Sequence, residues 1–135
     1  MTSTGLRIGL GVDAHAFGGG VPLVLGGVHI DHPRGLVGHS DGDVVAHALT
    51  DALLAEAYRH VKSAGFELVN ADCVVIGQEP RIAPHRSAMR QRLSGALGVE
   101  AGRVNVRATT TDELGFTGRG EGLAAQAVAL LAPSS

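Results

Sequence analysis

The stretch Leu6-Arg7-Ile8-Gly9-Leu10-Gly11-Val12-Asp13-Ala14-His15 alternates large apolar residues with small or polar ones, the period of two that belongs to a β-strand. One face carries Leu6, Ile8, Leu10 and Val12. The opposite face ends on Asp13 and His15 side by side, because residues two apart on a strand point the same way. Working outward, residues 22–25 and 28–30 flank Gly26-Gly27, a two-residue hairpin turn whose central positions take positive φ. Residues 32–35 read as a loop. Ser40 followed by Asp43 is a helix-start pattern, so a helix is expected from near Asp41, with Val44, Val45, Ala48, Leu49, Ala52 and Leu53 on its apolar stripe and Gly65 at its end. Residues 66–77 predict a strand, 84–97 a helix closed by Gly98, Val104 and Val106 a further strand, and 123–131 a final helix. Strands alternating with helices predict an α+β domain in which helices pack on one sheet.

At 135 residues the chain fits a single domain. Eleven Lys and Arg stand against thirteen Asp and Glu, with no basic run to neutralise a row of phosphates, so no nucleic acid is expected as a partner. Aromatic residues make up 3% and Trp is absent, which leaves Val, Leu, Ile and Ala to build the core. Twenty glycines in no low-complexity tract predict tight turns or close approaches of backbone. The single Cys73 excludes an intrachain disulfide framework and a Cys-rich zinc module. With no basic leader over residues 1–5 and no apolar run near the roughly 20 residues a bilayer requires, a cytoplasmic protein without a membrane partner is expected. Seven histidines, at 15, 29, 32, 39, 47, 60 and 85, are too scattered for a storage tract.

Several groups of residues could carry chemistry. Asp13 and His15 have metal-ligand spacing, although a solvated strand end often carries such a pair. His47, one to two turns into the expected helix, adds an imidazole. A carboxylate with two imidazoles leaves one coordination position open, a set that suits zinc, with manganese or cobalt as alternatives. Asp51, four residues on, could orient His47, or the two could be an ordinary helix-surface pair. His39-Ser40-Asp41-Gly42-Asp43 sits where a helix start offers free amides to an anion, or is a plain cap with a loop histidine beside it. Thr109, Thr110 and Thr111 followed by Asp112 could serve phosphate oxygens and a hard cation such as Mg²⁺, or be a β-branched strand end. Gly118-Arg119-Gly120-Glu121-Gly122 suits anions too, but lacks the pattern of a P-loop.

Taken together, these motifs resemble the 2-C-methyl-D-erythritol 2,4-cyclodiphosphate synthase family of the non-mevalonate isoprenoid pathway. The matching segments are Gly-Val-Asp-Ala-His at 11–15, His-Ser-Asp-Gly-Asp at 39–43, His47-Ala-Leu-Thr-Asp51 and its Ala-Leu-Leu continuation, the weaker Gln78-Glu79-Pro80-Arg81, and the run from Ala108 to Gly122. The resemblance implies a phosphorus-oxygen lyase of one domain over 1–135, a mixed β-sheet covered by helices on one side, assembled as a homotrimer with its sheets facing the three-fold axis. It implies that the 2-phosphate of a cytidine diphosphate-linked methylerythritol attacks the β-phosphorus and releases CMP. Carried over by position, Asp13, His15 and His47 hold zinc, His39 and Thr110 stabilise the transition state, and Ser40, with Asp13, His15 and His39, meets the substrate. Gly77, Gln78, Glu79 and Pro80, followed by Arg81, Ile82 and Ala83, line a cytosine pocket. Thr109, Thr110, Thr111 and Asp112 contact the diphosphate, with Asp112 toward Mg²⁺, and Phe116 and Arg119 match further substrate-contact positions.

Two features depart from the family. Asp112 stands where a Glu is usual, one methylene shorter. Between Leu54 and Glu56 the family carries upwards of roughly twenty residues, with motifs that contact the ribose and the methylerythritol phosphate, whereas this chain passes straight across. Either the protein lacks this segment, or the sequence joins two stretches across a mobile loop. The second is expected, because the motifs on both sides are intact and long functional loops are commonly mobile. The helical pattern through position 55 is then a product of that junction. A real loss of the segment would favour a different reading, a non-catalytic trimer binding isoprenoid diphosphates or protein partners; a zinc phosphohydrolase is a third.

Overall fold

The computed structural model describes residues 5–37, 42–52 and 62–134. Five strands form a mixed sheet: β1 (Arg7–Gly18), β4 (Gly35–Leu36), β5 (Phe66–Ile76), β6 (Val104–Thr109) and β7 (Gly122–Pro133), in the order β4-β1-β7-β5-β6. All pairings are antiparallel except β5 with β6. A separate hairpin pairs β2 (Leu23–Leu25) with β3 (Val28–Ile30) around Gly26 and Gly27, at φ 57° and 76°. The expected turn therefore holds, and it needs glycine because both positions lie in the left-handed region. Besides helices α1 (Val44–Ala52) and α2 (Arg86–Leu97) there is a short α3 (Gly115–Gly118), a single turn within a stretch whose pattern predicts a loop.

Two expectations are corrected. Residues 123–131 are not a final helix but lie in β7, the centre of the sheet, laddered to β1 and to β5. Their Ala- and Leu-rich run has high helix propensity. A central strand apolar on both faces reads as such a continuous run, and pairing on both sides outweighs propensity. The first helix starts at Val44 rather than near Asp41, because Asp43 caps it: its Oδ1 accepts the Ala46 N–H at 3.1 Å and its carbonyl accepts the His47 N–H at 3.0 Å. The same carboxylate, 2% exposed, accepts the N–H groups of Gly26 at 2.9 Å and Gly27 at 2.8 Å, pinning the hairpin turn to the helix start.

The core lies on one face of the sheet. Rows run across it through Gly9, Ala129, Ala71 and Val104, and through Gly11, Ala127, Cys73 and Val106. Small residues on β1 and β7 admit α1 closely: a Cβ at Gly9 would stand 1.6 Å from the Ala52 carbonyl oxygen. Val44, Val45, Ala48 and Ala52 of α1 are completely buried on this side. The opposite face carries Ile8, Leu10, Val12 and Val128, between 43% and 74% exposed. None of the described helices is long and apolar enough to cross a membrane.

Candidate functional site

Asp13 and His15 leave β1 on its helix-covered face, as their spacing requires, and the cap at Asp43 sets His47 one turn into α1, facing them. Three donor atoms meet there. His15 Nε2 is 2.7 Å from Asp13 Oδ2 and 3.4 Å from His47 Nδ1, and His47 Nδ1 is 3.1 Å from the same Asp13 oxygen. The His15 Nδ1–H donates to the Val37 carbonyl at 2.9 Å, which orients the ring and turns Nε2 toward the cluster. A tetrahedral ion with bonds of about 2.0–2.1 Å sets its donors roughly 3.3 Å apart. Two sides of the triangle already match, and the third needs to open by about half an ångström. The side chains are 14% to 34% exposed, so a further ligand can reach the open position. The residues fit a divalent metal of the zinc class by donor type, number and spacing.

A cavity of about 220 Å³ opens at the C-terminal ends of β5 and β6. Gly77, Gln78, Pro80, Arg81, Ile82 and Ala83 form one wall, and Val75, Ala108, Thr109, Thr110 and Leu123 form the rest. Leu123 also pairs with His15 across β1 and β7, so the cavity adjoins the metal-ligand strand. This volume is below that of pockets for whole drug-sized ligands and suits a single ring system. Among the described residues neither Gln78 nor Arg81 has a hydrogen bond or ion pair, which leaves an amide and a guanidinium for a ligand. Glu79 does not line the cavity; its carboxylate turns outward to His32 and Arg34.

Beyond the mouth, Thr110 donates to Asp112 Oδ1 at 3.4 Å, and both are exposed. Asp112 and Glu113 take φ of 51° and 67°, a left-handed pair without glycine that costs of order 1 kcal/mol or more per residue. The Leu114 N–H closes the turn on the Thr111 carbonyl at 3.0 Å. Thr111 is committed inward, donating to the Leu114 carbonyl at 2.6 Å with Thr117 Oγ1 at 2.9 Å. Arg119 forms a two-point pair with Glu121 at 2.9 and 3.1 Å, which holds the Glu121 carboxyl below its usual range. Phe116 is exposed beside it. His39, Ser40 and Asp41 lie outside the described residues, as does the Asp51 side chain. Spacing alone offered no sign of the Asp43 hub, the Val37 carbonyl behind His15, or the outward turn of Glu79; each depends on a partner more than fifteen residues away.

A family model described as the YgbB family matches residues 6–58 and 53–132. The 2-C-methyl-D-erythritol 2,4-cyclodiphosphate synthase of Rubrobacter xylanophilus is 52% identical over 157 aligned positions, covering 94% of this chain and 95% of that protein. Since 94% of 135 residues is about 127, some thirty of the 157 aligned positions face a gap in this chain. The enzyme of the same name from Moorella thermoacetica is 49% identical, covering 93% of this chain and 94% of its own length. Among solved structures, the IspF protein of Plasmodium falciparum in complex with CDP superposes with a TM-score of 0.89 at 26% identity, covering 99% of this chain and 100% of that one.

Proposed function

The chain belongs to the YgbB family, and on that premise we propose that it converts 4-diphosphocytidyl-2-C-methyl-D-erythritol 2-phosphate to 2-C-methyl-D-erythritol 2,4-cyclodiphosphate with release of CMP. An oxygen of the 2-phosphate attacks the β-phosphorus, a new P–O bond forms, and the bond to the cytidine α-phosphate breaks. The observation that carries this reading is the meeting of Asp13, His15 and His47 donor atoms beside a cavity of nucleobase size. A bound zinc ion supplies charge neutralisation to phosphoryl oxygens. Reactions of this type need positioning and electrostatics more than a side-chain nucleophile, and the buried Cys73 has no part in it.

In this reading Asp13, His15 and His47 hold the zinc, with manganese or cobalt as substitutes. Gln78 and Arg81 reach the cytosine, and the rim at Thr109 and Thr110 leads from the base to the diphosphate. Asp112, presented on the exposed left-handed turn, would hold Mg²⁺. Arg119 exchanges its Glu121 partner for phosphate oxygens beside Phe116. His39, with Thr110, steadies the pentacoordinate phosphorus, and Ser40 joins it at the substrate.

The chain acts as a homotrimer, its three sheets facing the axis and each active site shared between neighbours. This is supported by the apolar Ile8, Leu10, Val12 and Val128, exposed on a face that no described helix covers. The chain is read as one domain whose family segment is missing between Leu54 and Glu56. The two family-matched stretches meet at 53–58, which supports that position. A cytoplasmic setting belongs to the same reading, in keeping with a free thiol at Cys73.

The test is direct. Protein loaded with zinc and Mg²⁺ is given the cytidine substrate, and products are followed by phosphorus NMR. CMP and the cyclic diphosphate should appear together. Failure of both, with substrate intact and metal bound, overturns the assignment.

A further inference from the structure

The loop at 77–83 forms one wall of the ligand cavity, yet its middle has little backbone to hold it. The Gly77 N–H donates to the Thr109 carbonyl at 3.1 Å at one end, and the His85 N–H to the Ile82 carbonyl at 2.8 Å at the other. Between these anchors, residues 78–81 carry no such bond among the described residues. What ties the middle down is a side chain pointing away from the ligand. Glu79 Oε1 lies 3.3 Å from His32 Nε2 and 3.5 Å from the Arg34 guanidinium.

Those two partners are themselves fixed. The His32 ring stacks on Phe17 with centroids 5.2 Å apart, and its side chain is 8% exposed. The Arg34 guanidinium lies 4.5 Å over the Phe17 ring, and His32 Nδ1 sits against the Arg34 backbone, 2.8 Å from its carbonyl oxygen and 3.2 Å from its nitrogen. Phe17 belongs to β1 and pairs with Leu36 of β4, and its N–H donates to the Glu121 carbonyl at 2.8 Å. A platform on the strand ends thus meets one carboxylate in the middle of a loop that is otherwise held at its ends, by the Gly77 amide and by the buried Ile82.

We propose that Glu79 is a positioning residue for the nucleobase pocket: paired with His32 and Arg34, it holds the 77–83 loop so that Gln78 and Arg81 face the cavity. This inference rests on the cytidine-binding reading above. Glu79 touches no ligand, so it governs how often the pocket wall is in place. That role affects binding in ground and transition states alike, which raises KM and leaves kcat nearly unchanged. An exposed ion pair of this kind has a modest effect, roughly two- to fivefold in affinity.

The probe is CMP, titrated calorimetrically into the zinc-loaded protein, with kcat and KM measured alongside. Glu79→Ala should weaken CMP two- to fivefold and raise KM by a similar factor, with kcat within about twofold. Zinc content and melting temperature should match the parent. Glu79→Gln, which keeps an oxygen for both donors, should recover most of the loss. Arg34→Ala placed on Glu79→Ala should add little, because the two act through one contact. In the absence of any nucleotide, the Gly77 and His85 amides, whose bonds close the two ends of the loop, should exchange hydrogen faster in Glu79→Ala than in the parent. Unchanged CMP affinity and unchanged exchange in Glu79→Ala overturn the tether while leaving the cytidine reading intact. If the parent protein itself binds no CMP, the cytidine reading falls and the tether's purpose with it.

Discussion

Over β1 and β7 the two faces of the central sheet are both apolar, yet they are built from different side chains. The covered face uses small residues on β1 and β7, Gly9 and Gly11 opposite Ala129 and Ala127, and reserves bulk for β5 and β6 with Leu68, Val75, Val104 and Val106. The bare face reverses this on β1, presenting Ile8, Leu10 and Val12 to the outside. Small residues are needed where a helix backbone lies almost on the strand, as Ala52 does over Gly9. Large ones on an uncovered sheet face make sense against another sheet, since sheets pack about 10 Å apart and need long side chains to fill the gap. The difference also explains where the chemistry sits. Asp13 and His15 continue the small-residue side of β1, so the helix that packs close brings His47 within reach.

The sharpest way to break this contrast is a charge on the bare face. In an isolated chain Leu10→Asp is an exposed substitution, expected to change stability by no more than about 0.5 kcal/mol. If the face is buried between copies, the same change should dissociate the assembly and lower CMP release by about 100-fold or more, the scale of a misplaced shared site. Sedimentation and product assay together decide, and a fully active trimer of Leu10→Asp would refute the assignment of that face. A cavity on the covered face should act differently. Leu68→Ala is expected to lower stability by about 2–5 kcal/mol while leaving subunit association in place. Denaturant midpoints at several protein concentrations separate the two behaviours.

Cys73 reports the same asymmetry chemically. Burial on the covered face, with a smaller contribution from the nearby Asp72 and Asp43 charges, pushes its thiol up to about 12. A native thiol so placed should resist alkylating reagents that label the unfolded chain readily. Its pH signature follows from the direction of the shift. Above the ordinary thiol value of 9.0 the unfolded chain releases a proton that the folded chain keeps until about 12, so stability should fall as pH rises through that window. Cys73→Ser should flatten the slope. The smallest effect is expected from the ion pair on the other face. Arg107 contacts Asp72 at 2.8 to 3.2 Å and holds its carboxyl below the usual value of 3.8. A depressed carboxylate stabilises the fold above its unfolded value, and that contribution disappears as pH falls through the folded one. Asp72→Asn should reduce the acid sensitivity of the melting temperature slightly, and a large change would mean that the pair is buried by a partner.

Much of the site was legible before any coordinates. Asp13 and His15 share a face because a strand repeats every two residues, and the hairpin at Gly26-Gly27 announces its own φ angles. The helix at 86–97 ends at Gly98, left-handed at φ 69°, as its residue type implied. The illegible parts share one cause. Asp43 looked like a charge for a helix dipole, and only the fold shows it gripping a hairpin turn sixteen and seventeen residues earlier. Glu79 looked like part of a pocket wall, and only the loop's path sends it to His32.

Local periodicity and residue chemistry thus suffice for the ligand types, the turn residues and most element boundaries, because each is decided within a few positions of chain. They failed for 123–131, where Ala and Leu satisfy helix and strand equally and the choice falls to whichever offers hydrogen bonds on both sides. That was the tertiary structure's decision. So was the meeting of His47 with Asp13 and His15, thirty-four and thirty-two residues apart, since no local rule sets the distance between a strand and the helix packed on it. The glycines that permit this approach were visible as glycines, but a missing Cβ says that something comes near and leaves open what it is.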